Sequence, residues 1–543
     1  MKRYMAHMIS SAEKRVEYFL EKQVKEQDNC FYGGLEQEII DVKPTVYLLA
    51  TAAAVYCNPD SRFYKSQELI RPMNLALDFI RKYQREGGSF DYPSCNFLSA
   101  PDTAFCFKRL ISAYRLFESF ADRAATEVLM DKLLLIMKEA LYGIRDGGFH
   151  TPNHRWAIVA SMTQGAELFC NEEWADSLHL RAAAYLQEGI DGNEDGEYAE
   201  RSTGNYNAVV NQALISLYEV TKEEAYLGYV ERNLHMMLTY IDPDDTIFTQ
   251  NSTRQDRGAA DYADKYFYQF LYMAAHTGNE EFDAAAHKMI QDNIQRGDMA
   301  PDCLHNIMLW KGIGEYELKG YGFPETYRKY YRDSGVLRVK KKAYTYSVLK
   351  GNRNFFYIKF GGLQVTLRIG ESYCGIRNFI PQDMQTSENG CVLKAEAKGW
   401  YYQPFSEKPA DSDWWKMDHT KRELLNSSEL ITTVELTERE KGIAVRVKTE
   451  GIERLPLRVE MCIAPGSILE SDTFCLKAEA EQALLLKDGF VTVDNRRQRI
   501  KIGPGRGSHK FAAHYSETEK EPDFCIRMNE YTPCDMEFCI EAI

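Results

Sequence analysis

The chain has no run of about eighteen apolar residues, no CxxC pair, and fewer bases than acids. The first absence leaves no candidate for a membrane-spanning helix. The second, with 13 cysteines, an odd number scattered along the chain, argues against a disulfide framework or a compact zinc motif and for reduced thiols. The N-terminal stretch MKRYMAHMISSAEKRVEYFL lacks a continuous apolar segment, so no signal peptide is expected and the expected address is cytoplasmic. With 66 Lys and Arg against 80 Asp and Glu, the net charge is −14. That excludes a broad nucleic-acid or anionic-membrane surface. An acidic ligand would then need a local concentration of arginine.

What is present is length, apolar content and tyrosine. A chain of 543 residues exceeds the size at which one core keeps growing, so two domains are expected. Residues 1–335 carry helical periodicity, as in TVYLLATAAAVY (45–56), AFCFKRLISAYRLFESF (104–120) and YNAVVNQALISLYEVT (206–221), where apolar residues recur at three- and four-residue steps. Between helices a similar loop returns near Gly33, Gly87, Gly147, Gly196 and Asp244, at intervals of roughly 48–60 residues. That interval is two helices plus their connections, the mark of a helical repeat array. About six pairs fit, which predicts an (α/α)6-type toroid with its loops gathered around one cleft. From 336 to 543 the period becomes two, in segments such as FFYIKF, LQVTLRI, IAVRVKT and RQRIKIG, which predicts an antiparallel β-sandwich. The 34 tyrosines suit a sugar-binding cleft, because a flat ring stacks on a sugar face while its tip hydrogen-bonds.

Three loops concentrate chemistry. His150-Thr151-Pro152-Asn153-His154-Arg155-Trp156 opens a helix, where free N–H groups and the dipole favour an anion. Glu200-Arg201-Ser202-Thr203-Gly204-Asn205-Tyr206-Asn207 follows one repeat later, with Tyr206 52 residues beyond His154. Arg254 and Arg257 come after another repeat, and Asp102 one repeat before His154. Arg155, Arg201, Arg254 and Arg257 make a local positive field able to grip a carboxylate or sulfate in two-pronged fashion. Bracing of the loops through Glu200, Asp256 and Asp261 is the competing reading. A polar loop at 406–423 carries Trp414 and Trp415, which are either further substrate contacts or a surface loop's tryptophans packed on the sandwich.

Asn153-His154 and the Asp195-Gly196-Glu197-Tyr198…Gly204-Asn205-Tyr206 stretch resemble, in order and spacing, two motifs of the heparinase II/III-like and oligoalginate lyase group of polysaccharide lyases. The resemblance implies β-elimination at a uronic acid. His154, Tyr206, Asn153 and Arg201 are then the catalytic set. His150, Arg155, Trp156, Glu200, Asn207, Arg254, Arg257, Asp102, Trp414 and Trp415 are the substrate contacts. The carboxylate is neutralised by Asn153, His154 or an arginine. His154 and Tyr206 are the acid–base pair, with Tyr206 the simplest acid, and a phenol serving as base would need a neighbouring cation.

One departure stands out. Relatives of this group often place a histidine and a metal cluster early in the β-domain, whereas no histidine lies between His305 and His419 here. That strand region offers Lys359, Gln364, Arg368 and Glu371 instead, and His419 is a substitute candidate. No cofactor is expected, and a structural divalent metal is left open, as is a homodimer. The expected partner is an acidic oligosaccharide, short and cut from its end if the address is cytoplasmic. Two other classes stay in play: a glycoside hydrolase using Asp102, Glu200 or Asp256, and a carbohydrate-binding protein without activity.

Overall fold

The structure, a computed structural model, describes residues 1–511 and 522–543. It divides into two compact units: residues 1–241 with 246–324, and residues 325–543 with the short segment Asp242–Asp245. The first strand of the second unit is Tyr327–Tyr331, nine residues before the change of period expected at 336. The strand was hidden because its run YRKYY mixes aromatics with charge.

In the helical unit, outer helices alternate with inner ones along the chain. The outer set is Lys2–Lys22, Gln67–Lys82, Arg123–Asp146, Ala175–Gln187, Glu224–Leu238 and Glu280–Arg296. The inner set is Lys43–Cys57, Ala100–Phe120, Pro152–Leu168, Tyr206–Thr221, Phe267–Thr277 and the short Leu304–Leu309. These are the six pairs of a toroid. Composition decides which helix goes where. Gln67–Lys82 buries one stripe, Leu69, Met73, Ala76, Leu77 and Ile80, as a surface helix does. Lys43–Cys57 is apolar nearly all round and buries residues on every side, so it needs neighbours on all faces. It has them: Lys2–Lys22, Ala100–Phe120 and Leu304–Leu309 all pack against it.

The ring closes through polar contacts between the start of the chain and the region around residue 300. His7 Nε2 lies 2.7 Å from Asn293 Oδ1, Arg15 donates to the Ala300 carbonyl at 2.6 Å, and the Ala300 N–H donates to Ser11 Oγ at 2.9 Å. Thr51 donates to Asp302 at 3.1 Å.

The repeat is visible in one recurring device. Gly33, Gly88 and Gly196 have φ of +87°, +85° and +86°, and at each a Cβ would strike the carbonyl of an outer helix, at Leu75, Glu139 and Arg232. Only glycine fits such a combination of conformation and approach. Each glycine carbonyl also receives a buried amide: from Gln23 at 2.8 Å, Gln84 at 2.9 Å and Asn233 at 2.7 Å. The loop entering the next inner helix is thereby tied to the outer helix in three repeats.

The second unit is a sandwich of two nine-stranded sheets. Pairing is antiparallel throughout apart from Ala483–Leu485, which runs parallel to Phe524–Tyr531. Strands such as Leu363–Tyr373 and Pro456–Ile463 are buried on both faces. Within them lies a charge cluster. Glu460 sits 2.8 Å from Arg458 and 2.9 Å from Arg527, and also receives Arg368. Glu460, Arg368 and Arg458 are all buried. All thirteen cysteines are free thiols. No helix among the described residues is long and apolar enough to cross a membrane.

Candidate functional site

The loops of interest precede four inner helices, Lys43–Cys57, Ala100–Phe120, Pro152–Leu168 and Tyr206–Thr221, so the N-terminal dipole ends of those helices face the site. Glu200 is its hub. It is buried, and its Oε2 accepts from both the Asn153 backbone N–H, at 3.1 Å, and Asn153 Nδ2, at 2.8 Å. Its Oε1 lies 3.2 Å from Arg254 Nε, an ion pair without hydrogen-bond alignment. The Glu200 carbonyl accepts from Thr253 Oγ1 at 2.8 Å. One carboxylate therefore joins the loops of three successive repeats. Burial, the largest influence, raises the Glu200 pKa against the lowering effect of Asn153 and Arg254.

His154 and Tyr206 share one cationic neighbour, Arg254. The Arg254 guanidinium stands 5.5 Å from the centre of the Tyr206 ring, and its charge acts on His154. Tyr206 Oη lies 3.5 Å from Gln255 Oε1 and is otherwise uncommitted among the described residues. The His154 ring meets His150 edge-on at 4.9 Å and Phe105 at 5.9 Å. Its Nδ1 is buried without a hydrogen-bond partner among the described residues. Burial first, then His150, with Arg254 and Lys43 adding to them, bring the imidazole down to about 4, against the opposing pull of Asp102. At neutral pH it is an uncharged base.

That shift has a consequence for stability. The folded state holds His154 at about 4 against 6.5 in the open chain, so protonation favours unfolding. Nothing is lost above pH 6.5, and the loss grows as pH falls from 6.5 toward 4. Between pH 7.5 and 4.5 the wild type should lose about 2–3 kcal/mol more than His154→Gln. Urea unfolding of both proteins at the two pH values measures the difference, and equal losses would refute the assignment.

Asp102 acts on His154 through its charge. Burial works to raise it, but Lys43, Ser99 and Asn96 outweigh that and keep it below the usual carboxylate range. Lys43, which sequence reasoning missed, forms the ion pair with Asp102 and lies over the Tyr92 ring at 4.3 Å. The signal was there: a lone lysine at the first turn of a helix otherwise free of charge, one repeat before Asp102.

Several expected contacts are structural instead. Trp156 is fully buried and its Nε1 donates to Asp191 at 2.6 Å, so it has no face for a sugar. Arg155 pairs with Glu188 at 3.0 Å and lies over Trp156 at 4.2 Å, bracing the loop at 188–191. Asn207 is fully buried with neither amide atom partnered among the described residues. Asn153 is likewise fully buried, and its Nδ2 is spent on Glu200, so it positions Glu200 rather than meeting a carboxylate. Asp256 accepts from Ser202, Ser252 and the Gly204 N–H and so braces two neighbouring loops.

Arg201, at φ +51°, reaches Glu197 at 3.5 Å and keeps part of its guanidinium exposed. His150 and Arg257 are exposed. On the sandwich unit, Trp414 is half exposed and Trp415 is 90 % exposed. Trp414 packs on His419 at 4.1 Å with Arg422 at 5.7 Å. Of the strand residues considered as replacements for a β-domain histidine, Arg368 and Glu371 are buried in the sandwich, while Lys359 pairs with Asp242 at 2.9 Å and Asp244 at 3.2 Å. Among the described residues no group of three or more His, Cys, Asp or Glu is placed to hold a metal ion.

No family model and no curated protein matches the sequence. Solved structures do match in fold. A mutant heparan sulfate lyase from Pedobacter heparinus is similar at 12% identity, over 98% of this chain and 82% of that one, with a TM-score of 0.54. A xanthan lyase from Paenibacillus matches at 9% identity over 99% of this chain and 57% of its own, with a TM-score of 0.58. The chondroitin AC lyase of Streptomyces coelicolor A3, in complex with chondroitin sulphate, matches at 9% identity over 100% of this chain and 80% of that one, with a TM-score of 0.55. The chain has the fold of the polysaccharide lyases that join a helical toroid to a β-sandwich.

Proposed function

We propose that the helical unit's cleft carries out β-elimination on a uronate-containing oligosaccharide. The observation that carries this reading is that an uncharged imidazole, His154, and an uncommitted phenol, Tyr206, share one cationic neighbour, Arg254.

Each group has a part. Arg254 and Arg201 keep exposed guanidinium surface and take the uronate carboxylate, which lowers the cost of charge developing at C5. His154 removes the C5 proton. The C4–O bond breaks as the C4=C5 double bond forms, and Tyr206 delivers its proton to the departing oxygen. Water is not consumed, and the imidazolium and phenolate return to their starting states by proton exchange. A bound carboxylate also raises the basicity of His154, because it counters the positive field of Arg254 and Lys43. Glu200 would repel that carboxylate when ionised. The burial that raises its pKa, working against the Asn153 donors, keeps the repulsion down. Trp414 and Trp415 are proposed sugar platforms on the sandwich. A cytoplasmic address is proposed on the strength of thirteen free thiols.

The test is a panel of uronic-acid oligosaccharides of heparan, chondroitin, alginate and pectic types. Elimination creates an unsaturated uronate, so one member of the panel should yield a new ultraviolet chromophore in step with chain cleavage. Cleavage that releases reducing ends without the chromophore would mean hydrolysis and would sink the proposal.

A further inference from the structure

A cavity of about 330 Å³ lies among the inner helices of the helical unit, lined by the body of Ala100–Phe120 and Tyr206–Thr221, the start of Phe267–Thr277 and the turn around Asp302. Its charged and titratable lining is Lys108, Arg109, Lys265, Tyr268, Asp302 and His305, together with Cys303. The elimination proposed above uses none of them.

The charges do not balance. Arg109 pairs with Asp302 at 3.1 Å, and Lys265 pairs with Asp261. His305 is brought down to about 3 by burial and then by Arg109, so it adds no charge. Lys108 is left over, with no ion-pair partner among the described residues. The hydrogen bonds do not balance either. Tyr268 is 3 % exposed, yet its Oη has no partner among the described residues, and Arg109 Nε is buried in the same condition. Buried polar groups are normally paired, and each orphan calls for a reason. Both orphans, Tyr268 Oη and Arg109 Nε, are donors, and the partly buried Lys108 adds a cation without an ion-pair partner among the described residues. An acceptor carrying negative charge suits all three.

We infer that this cavity is a binding site for a small oxyanion, in the size range of sulfate, phosphate or a single acidic sugar, held by Lys108, Arg109 Nε and Tyr268 Oη. The volume is at the small end for ligand pockets, which rules out an oligosaccharide. Burial and the neighbouring Arg109 bring the Lys108 ammonium down to about 7, as expected of a cation whose counter-charge is missing. The inference does not depend on elimination, because it is read by binding alone.

The experiment is a thermal-unfolding titration of the full chain with sodium sulfate, sodium phosphate and sodium glucuronate, each against sodium chloride at equal ionic strength. Saturation at a hundredfold excess over Kd should raise Tm by about 2 °C. The shift should vanish in Lys108→Met and fall in Tyr268→Phe. Lys108→Met removes an unpaired charge, so it should match or exceed the wild-type Tm in chloride; should it fail to fold, Tyr268→Phe, which deletes one oxygen, carries the same readout. Stronger stabilisation by glucuronate than by sulfate or phosphate identifies an acidic sugar as the ligand, and the reverse order identifies an inorganic anion. No shift beyond chloride with any of the three, or a shift that persists in both variants, overturns the inference.

Discussion

Tyr206→Phe should lose turnover by about 10²–10⁴-fold in kcat, with KM nearly unchanged, on whichever uronate the panel identifies. The phenol oxygen is the only atom removed. Its one hydrogen bond among the described residues is to Gln255 Oε1 at 3.5 Å, so the fold gives up almost nothing and Tm should stay within about a degree of wild type. The ring remains to stack beside Arg254. A loss of binding together with turnover would point to a contact residue. Retained turnover would remove the proton donor from the mechanism and the mechanism with it. His154→Gln, already made for the pH comparison, serves as the partner variant: if the two groups act in one step, the double variant should be no slower than the slower single one.

The second large effect lies in the sandwich. Glu460→Gln should cost about 3–5 kcal/mol of stability. Glu460 is the carboxylate shared by Arg368, Arg458 and Arg527, and burial, which alone would raise its pKa, is overcome by Arg368, Arg458 and Arg527 in turn, so it stays below the usual range. The amide is nearly the same shape but brings no charge, so the three guanidinium groups lose their common counter-ion in a low-dielectric interior. Guanidinium chloride would screen the very interaction under test, so urea unfolding is the measurement of choice. A cost below about 1 kcal/mol would show that other partners carry these arginines.

Architecture was readable in the sequence because it rests on periodicity. Helix pairs at a constant interval, followed by a change of period to two, are properties of local sequence, and the structure follows them closely. The site was readable only in part, because side-chain direction depends on neighbours. Trp156 sits in a loop full of chemistry and reads as a sugar platform, but it falls on the face of its helix that turns inward to Asp191. Asn153 and His154 are adjacent in sequence, and one is consumed by Glu200 while the other stays available. Lys43 has no motif around it, so only the register of the repeat identifies it. Gln23 and Gln84, which clamp the glycine loops, are single polar residues ahead of those loops, and nothing in their type announces a buried partner. The cavity at Lys108 and Tyr268 escaped notice because its donors come from helices more than 150 residues apart.

The closed ring has a bearing on how the chain is made. Lys43–Cys57, apolar on all sides, depends partly on Leu304–Leu309 and on the contacts of the first helix with residues near Ala300. Those partners leave the ribosome some 250 residues later, roughly 10–50 s at ordinary rates of synthesis. Throughout that interval the nascent ring lacks its final segment, and an apolar inner helix stays incompletely covered. Translation speed and chaperone supply, more than thermodynamic stability, would then set how much folded protein a cell obtains.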